Sequence, residues 1–110
     1  EMFLIGDVVG KNVILIDDMI DTAGTLCKAA DILIEKGAKS VRAMATHGVL
    51  SGEAYENIEK SKISEVIVTD TIPVKAELSS KIKVLSCAEL FADVMKMVHE
   101  HKSISDKFII

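Results

Sequence analysis

The chain has 110 residues, enough for one small domain. Its 49% apolar and 27% charged content excludes a disordered segment, and its mean hydropathy of +0.34 fits a packed core. A net charge of −4, no Trp and only Phe3, Tyr55, Phe91 and Phe108 as aromatics argue against a basic, base-stacking nucleic-acid surface.

In chain order, residues 2–5 read as a short apolar strand ended by Gly6-Asp7. After a Lys11-Asn12 turn, the continuous apolar run at residues 13–16 predicts a parallel strand covered on both faces. From Leu26 onward the period changes: Leu26, Ala29, Ala30, Leu33 and Ile34 predict a helix over residues 24–36 with Gly37 as its stop. A strand over 40–46 leads into a loop, His47-Gly48-Val49-Leu50-Ser51-Gly52, where Ser51 is placed to cap a short helix carrying Ala54 and Ile58. Residues 66–68 and 82–85 read as further strands, with Asp70-Thr71 at the end of the first and Pro73 in the loop beyond. Ser86-Cys87-Ala88-Glu89 has the form of a capping box opening a helix with Leu90, Phe91, Val94, Met95 and Val98 on one face. The alternation defines an α/β domain with a mostly parallel sheet flanked by helices. Ligands of such sheets gather at the carboxyl ends of the strands, where Asp17-Asp18, His47 and Asp70-Thr71 fall.

The most informative stretch is the acidic strand end together with the loop after it. Asp17, Asp18 and Asp21 precede Thr22, Ala23, Gly24 and Thr25, and then the helix begins. An open helix N-terminus presents unpaired N–H groups and favours a phosphate. Gly24 permits close approach, Ala23 keeps the loop uncrowded, and Thr22 and Thr25 add hydroxyl donors. Ionised Asp17 and Asp18 accept hydrogen bonds and suit vicinal sugar hydroxyls or a hydrated Mg²⁺. Donors at one end and acceptors at the other describe a site for a phosphorylated pentose. The loop lacks the Gly-Lys-Ser/Thr ending of a Walker A sequence.

This segment resembles the ribose-phosphate-binding motif of type I phosphoribosyltransferase folds. The full wording, Asp17-Asp18-Met19-Ile20-Asp21-Thr22-Ala23-Gly24-Thr25, is similar to the version in the ribose-phosphate pyrophosphokinase family. Ile5-Gly6-Asp7-Val8, Ala45-Thr46-His47-Gly48-Val49-Leu50-Ser51-Gly52, Val68-Thr69-Asp70-Thr71-Ile72-Pro73 and Ser103-Ile104-Ser105-Asp106-Lys107-Phe108 match that family in order. The resemblance implies a type I phosphoribosyltransferase-like domain, N-terminally truncated, with residues 1–110 forming part of the C-terminal domain of a longer enzyme. That enzyme would transfer the pyrophosphoryl group of ATP to the C1 hydroxyl of ribose 5-phosphate, giving phosphoribosyl diphosphate and AMP. The implied ribose 5-phosphate residues are Asp17, Asp18, Asp21, Thr22, Ala23, Gly24 and Thr25. Mg²⁺ is the implied cofactor and a homo-oligomer, hexameric in the family, the implied assembly. The ATP site and the basic catalytic loop would precede Glu1, so this chain alone is expected to be inactive and to carry no catalytic residue. Alternatives on the same fold are a transferase consuming phosphoribosyl diphosphate and a non-catalytic regulatory subunit.

Other residues read less sharply. His47, at a strand end, fits either a catalytic or a structural role, and no metal set is evident. His99 and His101 read as surface residues, and Met95 and Met97 as packing residues. Ser103, Ser105 and Phe108 resemble the family's tail at a regulatory phosphate or ADP site. Cys27 and Cys87 form no CxxC and read as two buried thiols in a reducing compartment. With no apolar run near the roughly 18 residues of a membrane span, and no signal peptide, the expectation is a cytoplasmic protein with neither membrane nor nucleic-acid partner.

Overall fold

Four parallel strands form one sheet in the order β1-β2-β3-β4, seen in a computed structural model that describes residues 6–107 apart from the Asp106 side chain. The strands are β1 (Asn12–Ile20), β2 (Ser40–Gly48), β3 (Glu65–Thr69) and β4 (Ile82–Leu85). The helices are α1 (Gly24–Glu35), α2 (Ala54–Lys60) and α3 (Ala88–His99). The expected α/β class and parallel sheet are therefore observed. The strand expected at residues 2–5 lies outside the described residues.

Strand order equal to chain order means that successive right-handed crossovers fall on one face. That face holds the core: Val41, Ala43 and Ala45 of β2, Val66 and Val68 of β3 and Ile82 of β4 pack against Cys27, Ala30 and Leu33 of α1 and Ala54 and Ile58 of α2. Val41, Val66, Val68, Ile58 and Ile63 are fully buried, each burial contributing roughly 1.5–3 kcal/mol. The α1 stripe is rotated toward Cys27, leaving Leu26, Ala29 and Ile34 less buried. Gly37 ends α1 as expected, with φ +101° and Ala38 N–H donating to Leu33 O at 3.0 Å.

The opposite face corrects the expectation that the 13–16 strand is covered on both sides. Register places Ile16, Met44 and Ile67 in one row across three strands, with Ile14 below and Leu85 above. Ile16 is 80% and Ile14 54% exposed, because both crossover helices lie on the other side. The apolar stripe of α3 is likewise open, and Met95, expected to pack, is 66% exposed. α3 makes no substantial contact with the strands, so the radius of gyration is 16.6 Å against about 13 Å for a compact chain of this length.

Two caps differ from expectation. No side chain caps α3: Ser86 Oγ accepts only the Ala88 N–H at 3.1 Å, and Glu89 does not reciprocate. At α2 the Ser51 carbonyl, not its hydroxyl, meets the Ala54 N–H at 3.1 Å. Of the two cysteines only Cys27 is buried, and burial pushes its thiol upward; Cys87 is half-buried, and both are free. No described helix is long and apolar enough to cross a membrane.

Candidate functional site at the carboxyl ends of β1 and β2

β1 runs further than its apolar residues suggest. It continues through Asp17 and Asp18 to Ile20, so the acidic pair lies within the strand rather than at its end. β2 pairs alongside as far as Gly48, so His47 and Gly48 are strand residues, not loop. Pairing of Asp17 with Ala45 and of Met19 with His47 holds both strand ends in register.

Beyond Ile20 the chain turns through residues 21–23 into α1 and encloses a hollow of about 340 Å³. Its lining includes Asp17, Asp21, Thr22, Ala23, Gly24 and Thr25, so six of the seven expected residues converge there. Asp18 does not line it. The hinge of the turn is Ala23, at φ 66°, buried, with its carbonyl accepting the Cys27 N–H at 2.9 Å. The left-handed conformation thus falls on Ala23 and not on Gly24, whose backbone is ordinary. A Cβ at Gly24 would meet only Thr22 Oγ1, at 3.9 Å, so it would project into open space.

The electrostatics suit an anion next to a polyol. No side chain caps α1 and no acid occupies its first turn, so its leading N–H groups carry their full positive potential. Hydrogen bonding with Asp18, through its side chain and through its N–H at 2.7 Å from Oδ1, holds the Asp17 carboxyl below its usual value. Asp17 is therefore an ionised acceptor at neutral pH. Among the described residues no group of three His, Cys, Asp or Glu side chains could cage a metal. Mg²⁺ commonly needs only one or two carboxylates together with substrate phosphates and water, and Asp17 and Asp18 fit that lesser role.

The neighbouring loop was the part that sequence reasoning missed. Val49 and Leu50 N–H groups both donate to Ile20 O, at 3.0 and 3.1 Å, and Ser51 N–H donates to Asp21 O at 3.1 Å. The Ser51 hydroxyl donates to Asp21 Oδ1, and Asn57 Nδ2 to Thr22 O at 2.9 Å. The Ser51-Gly52 turn beside a helix start was the only signal, and it read equally well as a cap. His47 lies outside the hollow's lining; its Nδ1 is paired with Thr71 Oγ1 at 2.8 Å. His99 and His101 are exposed, as expected. Ser103 and Ser105 are exposed and bonded to each other at 2.9 Å, while Phe108 lies outside the described residues.

A parallel α/β sheet here sets an uncapped helix start beside an acidic strand, an arrangement in which ligands gather at the carboxyl ends of the strands. The chain belongs to the phosphoribosyl synthetase-associated domain family, whose model matches residues 1–109. It is 58% identical over 108 residues to the ribose-phosphate pyrophosphokinase of Wolinella succinogenes, covering 98% of this chain and 35% of that protein. It is 56% identical to that of Campylobacter jejuni, again covering 98% and 35%. The crystal structure of the Mycobacterium smegmatis phosphoribosylpyrophosphate synthetase superposes with a TM-score of 0.84 at 46% identity, covering 88% of this chain and 33% of that one. The chain thus spans about a third of the length of the relatives it matches.

Proposed function

We propose that this chain is the ribose 5-phosphate-binding part of a ribose-phosphate pyrophosphokinase, contributed by the C-terminal domain of a longer enzyme. The single observation that carries this reading is the hollow in which Asp17, Asp21 and residues 22–25 meet at the uncapped start of α1. Threefold longer relatives bearing that name, and a sheet face and α3 stripe left uncovered, support the larger whole. The longer enzyme would move the pyrophosphoryl group of ATP to the anomeric hydroxyl of ribose 5-phosphate.

In this reading the leading N–H groups of α1, with the Thr22 and Thr25 hydroxyls, receive the 5-phosphate. Asp17 accepts hydrogen bonds from the ribose hydroxyls, and Asp18, which does not line the hollow, acts on Asp17 and not on the sugar. The space beside Gly24 is filled by the ligand, which accounts for a glycine that nothing within the chain requires. Holding the sugar by its far end leaves the anomeric oxygen positioned for in-line attack, so the contribution is orientation. When bound, Mg²⁺ would screen the phosphate charges. ATP, the oligomeric assembly and a cytoplasmic setting belong to the same reading of the longer protein.

The test is calorimetric titration of ribose 5-phosphate and of inorganic phosphate, each with Mg²⁺. Removing one charge-assisted contact weakens binding by roughly 1.5–3 kcal/mol, on the order of 10- to 100-fold. Asp17→Ala is expected to weaken ribose 5-phosphate by that factor and leave inorganic phosphate unaffected, whereas Thr25→Ala weakens both. Ribose 5-phosphate binding equally to the parent and Asp17→Ala would overturn the assignment.

A further inference from the structure

Three consecutive carbonyls, those of Ile20, Asp21 and Thr22, are all engaged by donors from the segment beyond β2. Val49, Leu50 and Ser51 reach the first two through their main chain, and Asn57 reaches the third from within α2. The Ser51 hydroxyl takes one carboxylate oxygen of Asp21 as well. This segment is itself held in an uncommon shape: Leu50 is buried and sits at φ 51°. We propose that Ser51 and Asn57 are positioning residues for the phosphate loop, fixing the peptide orientations that aim the N–H groups of Thr22 and Ala23 into the hollow.

The physical basis is that a peptide unit has one rotation to settle. A carbonyl fixed on one side of a loop forces the N–H of the next residue toward the other side. Holding the Thr22 carbonyl with Asn57 therefore orients the Ala23 N–H, and holding the Asp21 carbonyl orients that of Thr22. Ala23 adds a reason for an external hold, since a non-glycine residue in the left-handed region persists only where its surroundings enforce it. Ser51 has a second effect. By occupying Asp21 Oδ1 it fixes the carboxylate's direction, so that one oxygen alone can face a ligand.

The proposal rests on the phosphosugar reading for its affinity consequence but not for its structural one, and the experiment separates the two. Amide hydrogen exchange is followed in the ligand-free parent, Ser51→Ala, Asn57→Ala and Ser51→Thr, and ribose 5-phosphate is then titrated into each. Exchange of the Cys27, Val49, Leu50 and Ser51 amides, whose acceptors lie on residues 20–23, is expected to rise about tenfold in the two alanine variants while amides of β2 and β3 keep their parent rates. Ribose 5-phosphate binding is expected to fall about tenfold in both, and Ser51→Thr, which keeps the hydroxyl, restores exchange and binding. Unchanged exchange of the Cys27, Val49, Leu50 and Ser51 amides, or a rise shared by the whole sheet, overturns the positioning role whatever the titration shows. Loop exchange that rises as expected, in a parent that does not bind ribose 5-phosphate, would remove the phosphosugar reading and leave the clamp standing.

Discussion

Gly48→Ala is the substitution whose consequence can be worked most directly from the structure. Gly48 closes β2 just before the segment that holds the loop at residues 21–23, and its backbone is of an ordinary kind that alanine also adopts. The obstacle is space. A Cβ there would stand 3.1 Å from both Cγ1 and Cγ2 of Val68 and 3.2 Å from its Cβ, whereas carbon atoms rest at about 3.5–4.0 Å. Val68 is fully buried on β3 and stiff at χ1, so it has no open direction in which to move. Overpacking of this kind costs about 2 kcal/mol, which lowers the melting midpoint of a domain this size by about 10 °C. Thermal unfolding followed by circular dichroism reads the shift. Truncating the obstacle is the control: in a Val68→Ala background the same alanine at 48 should cost less than about 0.5 kcal/mol. A single variant within about 0.5 kcal/mol of the parent, or a double variant whose losses simply add, would refute the steric account.

Two further outcomes concern the frame around the site. Lys81 Nζ donates to the carbonyls of Ile58, Glu59 and Ser61 at 3.1, 3.1 and 2.9 Å, closing the end of α2 with a cation. Lys81→Met keeps the stem and removes the donors, so urea denaturation should show a loss of about 2 kcal/mol; no loss would mean that the Ser61 N–H and hydroxyl, which also reach Ile58 O, suffice. Asp70 is held below its usual value, first by the Cys87 N–H at 2.8 Å from Oδ1 and then by the Ser86 side chain. A carboxyl lowered by folding stabilises the native state above its unfolded value of about 3.9 and loses that contribution as pH falls through the lower folded value. Urea midpoints between pH 7 and 3 should therefore decline less steeply below about pH 4 in Asp70→Asn than in the parent, and parallel curves would remove Asp70 from the acid response.

The features legible in the sequence divide from the rest along a physical line. The class of fold, the helix beginning at Gly24 and the strand at Ile82–Leu85 come from periodicity, which is local. The loop at residues 21–25 was legible because its chemistry is also local: acids, hydroxyls and a glycine at a helix start. The readings that failed depended on the groups lying across the sheet. The Ile14 and Ile16 pattern does not tell a strand covered on both faces from one whose second face is open in this chain. Asp18 looked equivalent to Asp17 because both are acids at one strand end, and only the lining of the hollow tells them apart. Ser51 has the residue type of a helix cap and sits where one belongs, but its hydroxyl bonds a carboxylate 30 residues earlier. Nothing in the local sequence ranks those two partners.

Ala23 and Leu50 show why the two loops are best understood as one device. Each occupies the left-handed region, at φ 66° and φ 51°, where glycine would sit without strain. A non-glycine residue there costs on the order of 1–3 kcal/mol and is retained only when its neighbours enforce it. Here the neighbours are each other's loops, since the hydrogen bonds from Val49, Leu50 and Ser51 end on Ile20 and Asp21. The side chains also explain why glycine is not used. Ala23 and Leu50 are both buried, so each anchors its turn in the core, and glycine would exchange that anchor for freedom at the point where direction matters. A parallel sheet with its crossovers on one face brings the ends of β1 and β2 side by side, which is what allows two strained turns to hold one another. The rigidity of the loop at residues 21–23 is then a consequence of strand order as much as of its own residues.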